Sequence, residues 1–303
     1  MPASYVHQRI ALDVYEQLNK PDSIHLPAYL AGAEGPDIFF FTLLASKKHT
    51  RPSEVGHLAH TTRVNDFLNA LKKYADDHME HAVLSSYYLG FLTHYAADTI
   101  CHPFIHARAF DGEGRYSSFM HGSFEHKLET YFYRLRGTRT GLPLHMRGFN
   151  ELGPKERDAI AAMLYEAVRD TFSDVDLPYR EIRNGIDQAA VFGRLLKSEG
   201  EKKNSLLFKI AYKTPIGTLA RSHTMPLEIA EDDLTNLVHE VWHSPWQRGV
   251  DRRESFEELY EVAVTRAEEL VTAALDGHIS DELLGDMSYD SGIRWTESED
   301  MTK

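Results

Sequence analysis

Residues 94–125 read HYAADTICHPFIHARAFDGEGRYSSFMHGSFE. Histidine and acidic residues recur here at four-residue intervals, in two groups: His94, Asp98 and His102, then His121 and Glu125. Side chains four residues apart lie on the same face of an α-helix. Two facing helices that carry such pairs can hold metal ions between them. Imidazole and carboxylate ligands without a thiolate are typical of a hydrolytic zinc site rather than a structural one.

The distribution of histidine supports the same interpretation. The chain contains 17 histidines, and ten of them fall between His49 and His126. Random scatter would place only about four in a window of that length. Clustering of this kind favours metal binding.

Composition indicates a globular protein outside the membrane. Of the 303 residues, 42% are hydrophobic and 26% are charged, which are globular values. Cys101 is the only cysteine, so no intramolecular disulfide can form, which fits a reducing compartment. We find no signal-peptide pattern at Met1 and no run of about 18 apolar residues that could span a bilayer. We therefore expect a cytoplasmic protein.

The net charge of −13 argues against nucleic acid as a partner, because such a surface repels polyanions. Divalent metals bound in one pocket would still make that pocket locally positive. A single phosphate group could be attracted there, so the charge excludes a class of polymer but not a small phosphoester.

Apolar residues at helical spacing predict an all-α fold, with no alternating β pattern of useful length. The predicted helices cover residues 5–18, 26–33, 56–74, 80–102, 119–136, 156–172, 180–197, 205–214, 232–242 and 255–275. Residues 36–44 read as a strand or a helix, and Pro36 followed by Asp37 favours the helix. Pro103 should end the central helix, and residues 107–117 should form an exposed loop. One domain over residues 1–284, followed by a loose polar tail at 285–303, is the expected organisation.

The helical spacing constrains which donors share an ion. His94 and Asp98 can bind one ion together, whereas His94 and His102 are about 12 Å apart along the helix axis. Asp98, between them, is placed to bridge two ions, and His121 and Glu125 would complete the second. The competing interpretation is that these are ordinary polar residues on partly buried helices.

HYAADTICHP followed by HGSFE resembles the zinc-dependent phospholipase C family, which is related to bacterial phosphatidylcholine-hydrolysing phospholipase C and more remotely to P1-type nucleases. Three further segments resemble family motifs in the same order: SYVHQRIA, GAEGPDIFFF and GHLAHTTRVNDF. The resemblance covers roughly residues 1–135. It implies a multi-helix single domain of the phospholipase C/P1 nuclease type.

The resemblance also implies ligands for two or three zinc ions. The first ion would be held by Asp37, His60, His94 and Asp98. The second would be held by His102 or His106, with His121 and Glu125. His7 would bind a third ion, with Asp98 as a further ligand. Asp37 would also orient or deprotonate the attacking water, which makes Asp37 and Asp98 the catalytic candidates.

Several choices among neighbouring residues remain open at this point. His102 is preferred over His106 because its four-residue step places it on the Asp98 face. His60 is preferred over His57. His126 points about 100° away from Glu125 on a helix and is not expected to be a ligand. Glu129 either supports a ligand from outside the metal shell or is solvated surface.

These patterns favour a zinc-dependent phosphoester hydrolase that uses metal-activated water. Its expected partner is a phospholipid-like phosphodiester or a soluble phosphoester. A P1-type nuclease is the first alternative, and the acidic surface counts against it. The second is a non-catalytic helical protein in which metal ions only join helices.

Overall fold

The computed structural model describes residues 4–42, 48–79, 81–110, 115–136, 147–195 and 233–298. The elements that these residues form are helices joined by turns and isolated bridges, so the predicted all-α fold is confirmed. The α-helices are α1 (Ser4–Gln17), α2 (Leu26–Gly32), α3 (Pro52–Thr61), α4 (Val64–Asp77), α5 (His81–Ala107), α6 (Ser118–Arg136), α7 (Arg147–Glu151), α8 (Pro154–Thr171), α9 (Tyr179–Leu195), α10 (Phe256–Leu275) and α11 (Asp281–Leu284). Two short 3-10 helices cover Gly35–Phe41 and Trp295–Glu297. Within the described residues, no helix is both long and apolar enough to cross a bilayer.

Helix α5 is the centre of the fold. It is apolar on nearly every side, and Tyr87, Phe91 and Phe104 are among its fully buried side chains. It is packed on several sides, by helices α1, α2, α4 and α10, as expected for a helix that is apolar all round. Helix α10 begins at a capping box, where Ser255 Oγ accepts from Glu258 N and the Glu258 carboxylate accepts from Ser255 N. The histidine and aspartate side chains of α5 are therefore held by a packed core.

Pro103 does not end the central helix, which continues to Ala107. Proline has no N–H, so the carbonyl of Thr99 loses its helical donor. The backbone of Gly292 lies directly against that carbonyl. Tertiary packing thus accommodates the interruption, and His106 remains on the same helix as His102.

The predicted helix over residues 56–74 is two helices, α3 and α4. Thr62 is extended and Arg63 adopts a left-handed conformation with φ of 51°. The Arg63 guanidinium donates to the Thr171 carbonyl. Apolar periodicity does not reveal this bend, because the helical spacing of apolar residues resumes at Val64 directly after it.

The predicted helix over residues 232–242 is wrong for 233–242, which form turns. Asn236 and His239 have positive φ, which a continuous right-handed helix excludes. The Asp233 carboxylate accepts from Leu237 N at 2.7 Å, and such local side-chain bonds compete with helix formation. Trp242 then pairs with Arg252 in an isolated bridge.

The expectation of a loose tail is wrong for residues 285–298, the part of it that the structure describes. Residues 285–298 are packed against the helices: Tyr289 is fully buried and its N–H donates to His60 O at 2.9 Å. Asp286 accepts from Asn65 N and from Trp295 Nε1. A polar sequence can pack when its polar groups satisfy those of its neighbours. The expected division of the chain at residue 284 stays a prediction.

Three smaller expectations have different outcomes: one is met, one is wrong in part, and one lies outside the described residues. Residues 36–41 belong to a 3-10 helix, in line with the helical alternative for 36–44. The loop expected at 107–117 is not exposed at its ends, because Ala109 is buried and Phe110 pairs with Tyr116. The predicted helix at 205–214 lies outside the described residues, as do positions 299–303 of the expected tail.

Candidate metal centre

Five helical elements bring the predicted ligands into one cluster beside α5. Helix α5 contributes His94, Asp98, His102 and His106, one per turn along one face. The other donors come from α1, the 3-10 helix Gly35–Phe41, α3 and α6: His7, Asp37, His60, His121 and Glu125. All nine are buried except His121, whose side chain is 13% exposed.

The first group of donors surrounds the upper turn of this face. One donor atom each from His7, Asp37, His94 and Asp98 lies within 4.8 Å of all the others. His94 Nε2 is 2.9 Å from Asp98 Oδ2 and 3.5 Å from Asp37 Oδ2. His60 Nε2 approaches the same group, at 3.2 Å from Asp37 Oδ1 and 3.9 Å from Asp98 Oδ2.

The second group lies one turn further along α5. His102 Nε2 is 3.3 Å from Asp98 Oδ1 and 3.4 Å from Glu125 Oε1. His121 Nε2 is 2.9 Å from the same Glu125 oxygen. His7 Nε2 lies 3.3 Å from Asp98 Oδ1. Asp98 therefore faces both groups, with Oδ1 toward His7 and His102 and Oδ2 toward His94.

These separations fit bound zinc. Bonds of about 2.0–2.2 Å place the ligand atoms of a tetrahedral zinc about 3.3–3.6 Å apart. Separations of 3.2–3.5 Å recur in both groups. Two buried carboxylate oxygens of the cluster, Asp37 Oδ2 and Glu125 Oε2, have no hydrogen-bond partner, which is costly unless something else binds them. The donor set, nitrogen and oxygen without sulfur, suits zinc.

A comparison with protein families agrees with this geometry. The family model described as zinc dependent phospholipase C matches residues 6–177, which is over half of the chain. The chain belongs to the zinc-dependent phospholipase C family. No curated protein and no solved structure matches the chain. The segment matched to the zinc-dependent phospholipase C family contains all nine predicted ligands, and the resemblance drawn from the motifs is confirmed.

Carbonyl groups fix two of the imidazoles in this phospholipase C-type cluster. His94 Nδ1 lies 2.9 Å from Ala33 O, and His60 Nδ1 lies 2.6 Å from Gly56 O. Since a carbonyl only accepts, each Nδ1 carries a proton, and Nε2, which faces the carboxylates, is the nitrogen left to bind a metal ion. Such outer hydrogen bonds orient metal-binding histidines.

Gly35 sets the distance between the 3-10 helix and α5. Its φ of +51° is left-handed, and a Cβ at this position would overlap the buried ring of His94. Only glycine meets both conditions without strain. The close approach places Asp37, two residues on, against His94.

Buried hydrogen bonds hold α1, and so His7, in place. Tyr5 N donates to Glu129 Oε1 at 2.7 Å, and His126 Nδ1 lies 2.9 Å from the other Glu129 oxygen. Glu129 is therefore not solvated surface but supports the helix that carries His7. His126 belongs to this support and to neither donor group.

The surrounding charges oppose the effect of burial at Asp98 and His94, but the charge of His94 adds to it at His7. Burial would raise the pKa of Asp98, but the imidazoles of His102, His94 and His7 lower it well below its usual range. Burial would lower the pKa of His94, but Asp98 and Asp37 raise it to about 9. Burial and the neighbouring His94 lower the pKa of His7 to about 4. Asp98 is thus ionised and His7 is neutral, as metal binding requires, whereas His94 must lose one proton before it can bind a metal ion.

Both donor groups open into one cavity of about 240 Å³. Its wall is formed by Asp37, Phe40, His57, His60, His102, His106, Tyr116, Ser118, His121, Glu125 and Asp290. His60 rather than His57 faces Asp37, since His60 is buried with its Nε2 3.2 Å from Asp37 Oδ1, whereas His57 is exposed. His106 lies beyond His102, with its ring against Tyr116 and Trp246.

Asp290 is the residue that sequence reasoning missed. It lies outside the segment matched to the zinc-dependent phospholipase C family, in the region expected to be a loose tail. Its Oδ1 is 3.7 Å from His102 Nδ1 and 3.7 Å from His106 Nε2. No periodic pattern links it to the α5 donors, so the sequence contained no signal for it beyond its being acidic.

Proposed function

We propose that this chain hydrolyses phosphodiester bonds with two or three bound zinc ions. The observation that carries the proposal is the position of Asp98, whose two oxygens face two separate donor groups that open into the same cavity. A carboxylate shared by two metal positions is the usual plan of two-metal hydrolases.

The geometry supports the following ligand sets. Asp37, His60, His94 and Asp98 would hold one ion, and His102, His121 and Glu125 a second. His7 would hold a third with Asp98 Oδ1, 3.3 Å away, or join the first group, whose donor atoms in Asp37, His94 and Asp98 lie within 4.8 Å of its own. When bound, zinc lowers the pKa of a coordinated water toward 7 and neutralises negative charge on phosphoryl oxygens.

Asp37 is the candidate for handling the proton of the attacking water. It lines the cavity, and its Oδ2 is buried without a hydrogen-bond partner. A carboxylate in this position can orient a water molecule by accepting its hydrogen bond and can accept its proton. Asp98 is the candidate for holding the two metal positions at a fixed separation.

The charge of the cavity wall supports metal dependence. Among the described residues that line it, three are carboxylates and none is Lys or Arg. A phosphate anion entering this space would be repelled by these carboxylates unless metal cations were bound beside them. We therefore expect binding of the phosphoester, and not only its hydrolysis, to depend on bound metal.

The size of the cavity favours a small phosphoester or the headgroup of a phospholipid-like substrate. Its volume of about 240 Å³ is below the roughly 300–1,000 Å³ of pockets for drug-sized ligands. The larger part of a lipid substrate would remain outside it. Action in the cytoplasm stays a prediction.

The test is metal content of the purified protein together with hydrolysis of bis(p-nitrophenyl) phosphate before and after chelation. We expect two or three zinc ions per chain, loss of turnover on chelation, and its return on addition of zinc. Single-stranded DNA serves as the parallel substrate, and preferential hydrolysis of DNA would replace the proposal with a nuclease. Tightly bound metal without turnover of any phosphoester would contradict the proposed activity.

A further inference from the structure

A turn near the C-terminus carries Asp290 into the metal centre. The turn is closed by hydrogen bonds from Ser288 N to Ile293 O and from Gly292 N to Ser288 O, both 2.9 Å. It is joined to α3 by the bond from Tyr289 N to His60 O. Asp290 is therefore held by an ordered backbone, and its position beside α5 is a fixed part of the fold.

Two buried imidazole nitrogens face the Asp290 carboxylate. His102 Nδ1 and His106 Nε2 each lie 3.7 Å from Asp290 Oδ1. The two histidines are 7% and 2% exposed, and neither of these nitrogens has a hydrogen-bond partner. Buried imidazole nitrogens without partners are uncommon, so the carboxylate between them needs an explanation.

His102 has different partners on its two sides. Its Nε2 faces Asp98 and Glu125 at the second metal position. A neutral imidazole has one lone pair, so a metal at Nε2 requires the proton on Nδ1. His94 and His60 donate the equivalent proton to carbonyls of Ala33 and Gly56. At His102 the acceptor facing Nδ1 is Asp290.

The same three residues could instead form a metal position of their own, because their donor atoms are close enough. Such a position would need the Nδ1 lone pair of His102, which a neutral ring cannot offer while Nε2 binds metal. Only His106 and Asp290 would remain, one fewer than the three protein ligands of a catalytic zinc. The geometry therefore favours a role for Asp290 through His102.

We propose that Asp290 is a positioning residue of the metal centre, whose Oδ1 accepts the Nδ1–H of His102 and thereby directs His102 Nε2 at the second ion. This inference rests on the proposed function and deepens it. The hydrogen bond is not formed at the 3.7 Å separation described here, and its formation in the zinc-loaded protein is the new expectation. Carboxylates that accept from metal-binding histidines also raise their basicity, so the second ion is bound more tightly.

The test compares zinc affinity in Asp290→Ala with that in Asp286→Ala, measured by competition with a chromophoric chelator. Asp286 anchors the same turn through Asn65 and Trp295 but does not face the histidines. We expect Asp290→Ala to weaken the second ion by about 10- to 100-fold and to leave the first ion unchanged. Asp290→Asn keeps an accepting oxygen and the side-chain volume, so its loss should be smaller.

Three results would overturn the proposal. Wild-type affinity for both ions in Asp290→Ala would show that the carboxylate has no influence. An equal loss in Asp286→Ala would assign the effect to loosening of the turn. A zinc-loaded crystal structure with a zinc–Oδ1 bond of about 2 Å would make Asp290 a ligand, whereas we expect Oδ1 about 2.8 Å from His102 Nδ1. Failure of the wild-type protein to bind a second ion would instead contradict the proposed function, so the two failures are distinguishable.

Discussion

Helix α5 and the turn around Asp290 supply the same site in opposite ways. The helix presents His94, Asp98, His102 and His106 at intervals of one turn, about 6 Å of axial rise, and all four are buried. The turn presents a single carboxylate from irregular backbone. A regular helix converts sequence spacing into spatial spacing, whereas a turn reaches a site only because the rest of the fold has put it there.

The two regions also differ in what fixes their side chains. On α5, His94 is held by a carbonyl of the segment before the 3-10 helix Gly35–Phe41 and by the close approach of Gly35. The turn is held by backbone bonds and by its fit against the Thr99 carbonyl, which Pro103 leaves without a helical donor. Metal binding should therefore depend on the two regions to different degrees.

The largest effect is expected from Asp98→Asn on α5. Asp98 is the carboxylate that both donor groups share, so its loss should weaken both ions, each by more than the roughly 100-fold that removal of an outer partner can cost. Zinc content after dialysis and phosphodiester turnover give the measurement. Asp77→Asn, on the exposed end of α4, is the matched control. An Asp98→Asn variant that still binds both ions would remove the basis of the two-metal interpretation.

A second prediction concerns proton release from α5. Burial would lower the pKa values of His94 and His102, but Asp98 with Asp37 raises the first to about 9, and Asp98 with Glu125 raises the second to about 10. At pH 7 both rings are then protonated in the metal-free protein, and zinc must displace those protons. Apparent affinity should rise up to about tenfold per pH unit for each proton released. Calorimetric zinc binding in buffers of different ionisation enthalpy measures this, and a buffer-independent enthalpy would contradict it.

The raised pKa values of His94 and His102 should also make the stability of the metal-free fold depend on pH, in the direction opposite to that of zinc affinity. Because both folded-state pKa values are above the ordinary 6.5, they stabilise the metal-free fold fully below about pH 6.5. That contribution is lost as pH rises through about 9 and 10. Metal-free protein should therefore lose stability in the range where zinc affinity increases.

Helical periodicity was sufficient to predict the fold class, α5 and α6, and the association of their donors. The family resemblance added Asp37, His60 and His7, whose proximity to Asp98 depends on tertiary packing. The helix-breaking property of proline was misleading at Pro103, where packing by Gly292 compensates for the missing donor. Periodicity was misleading at 233–242, where Asp233 binds the backbone locally. Asp290 could not be predicted from the sequence. Its position depends on a turn that is held by the hydrogen bond from Tyr289 N to His60 O and by the bonds of Asp286 with Asn65 and Trp295.

Gly35→Ala tests the support of the first donor group. The substitution should cost about 1–2 kcal/mol for the left-handed backbone and about 1–3 kcal/mol more for overlap with the buried His94 ring. Displacement of that ring should also weaken the first ion, while the second is affected less. Gly277→Ala is the control, because Gly277 is also left-handed but has open space around it. Denaturant unfolding of the metal-free proteins and chelator competition give the two readouts; equal behaviour of the two variants would show that contact with His94 does not matter.

Gly292→Ala tests the turn in the same way and should have the smallest effect on metal. Its φ is +66°, and a Cβ there would overlap the Thr99 carbonyl of α5, so the turn must move away from the helix. Movement carries Asp290 away from His102, and the second ion should weaken by less than in Asp290→Ala because the carboxylate is displaced rather than removed. Gly285→Ala is the control: it shares the left-handed backbone, and its nearest contact is a Met287 side chain at 3.6 Å. If Gly292→Ala destabilises the fold more than this control yet leaves the second ion at wild-type affinity, the turn contributes to folding alone, and α5 with α6 is sufficient for that metal position.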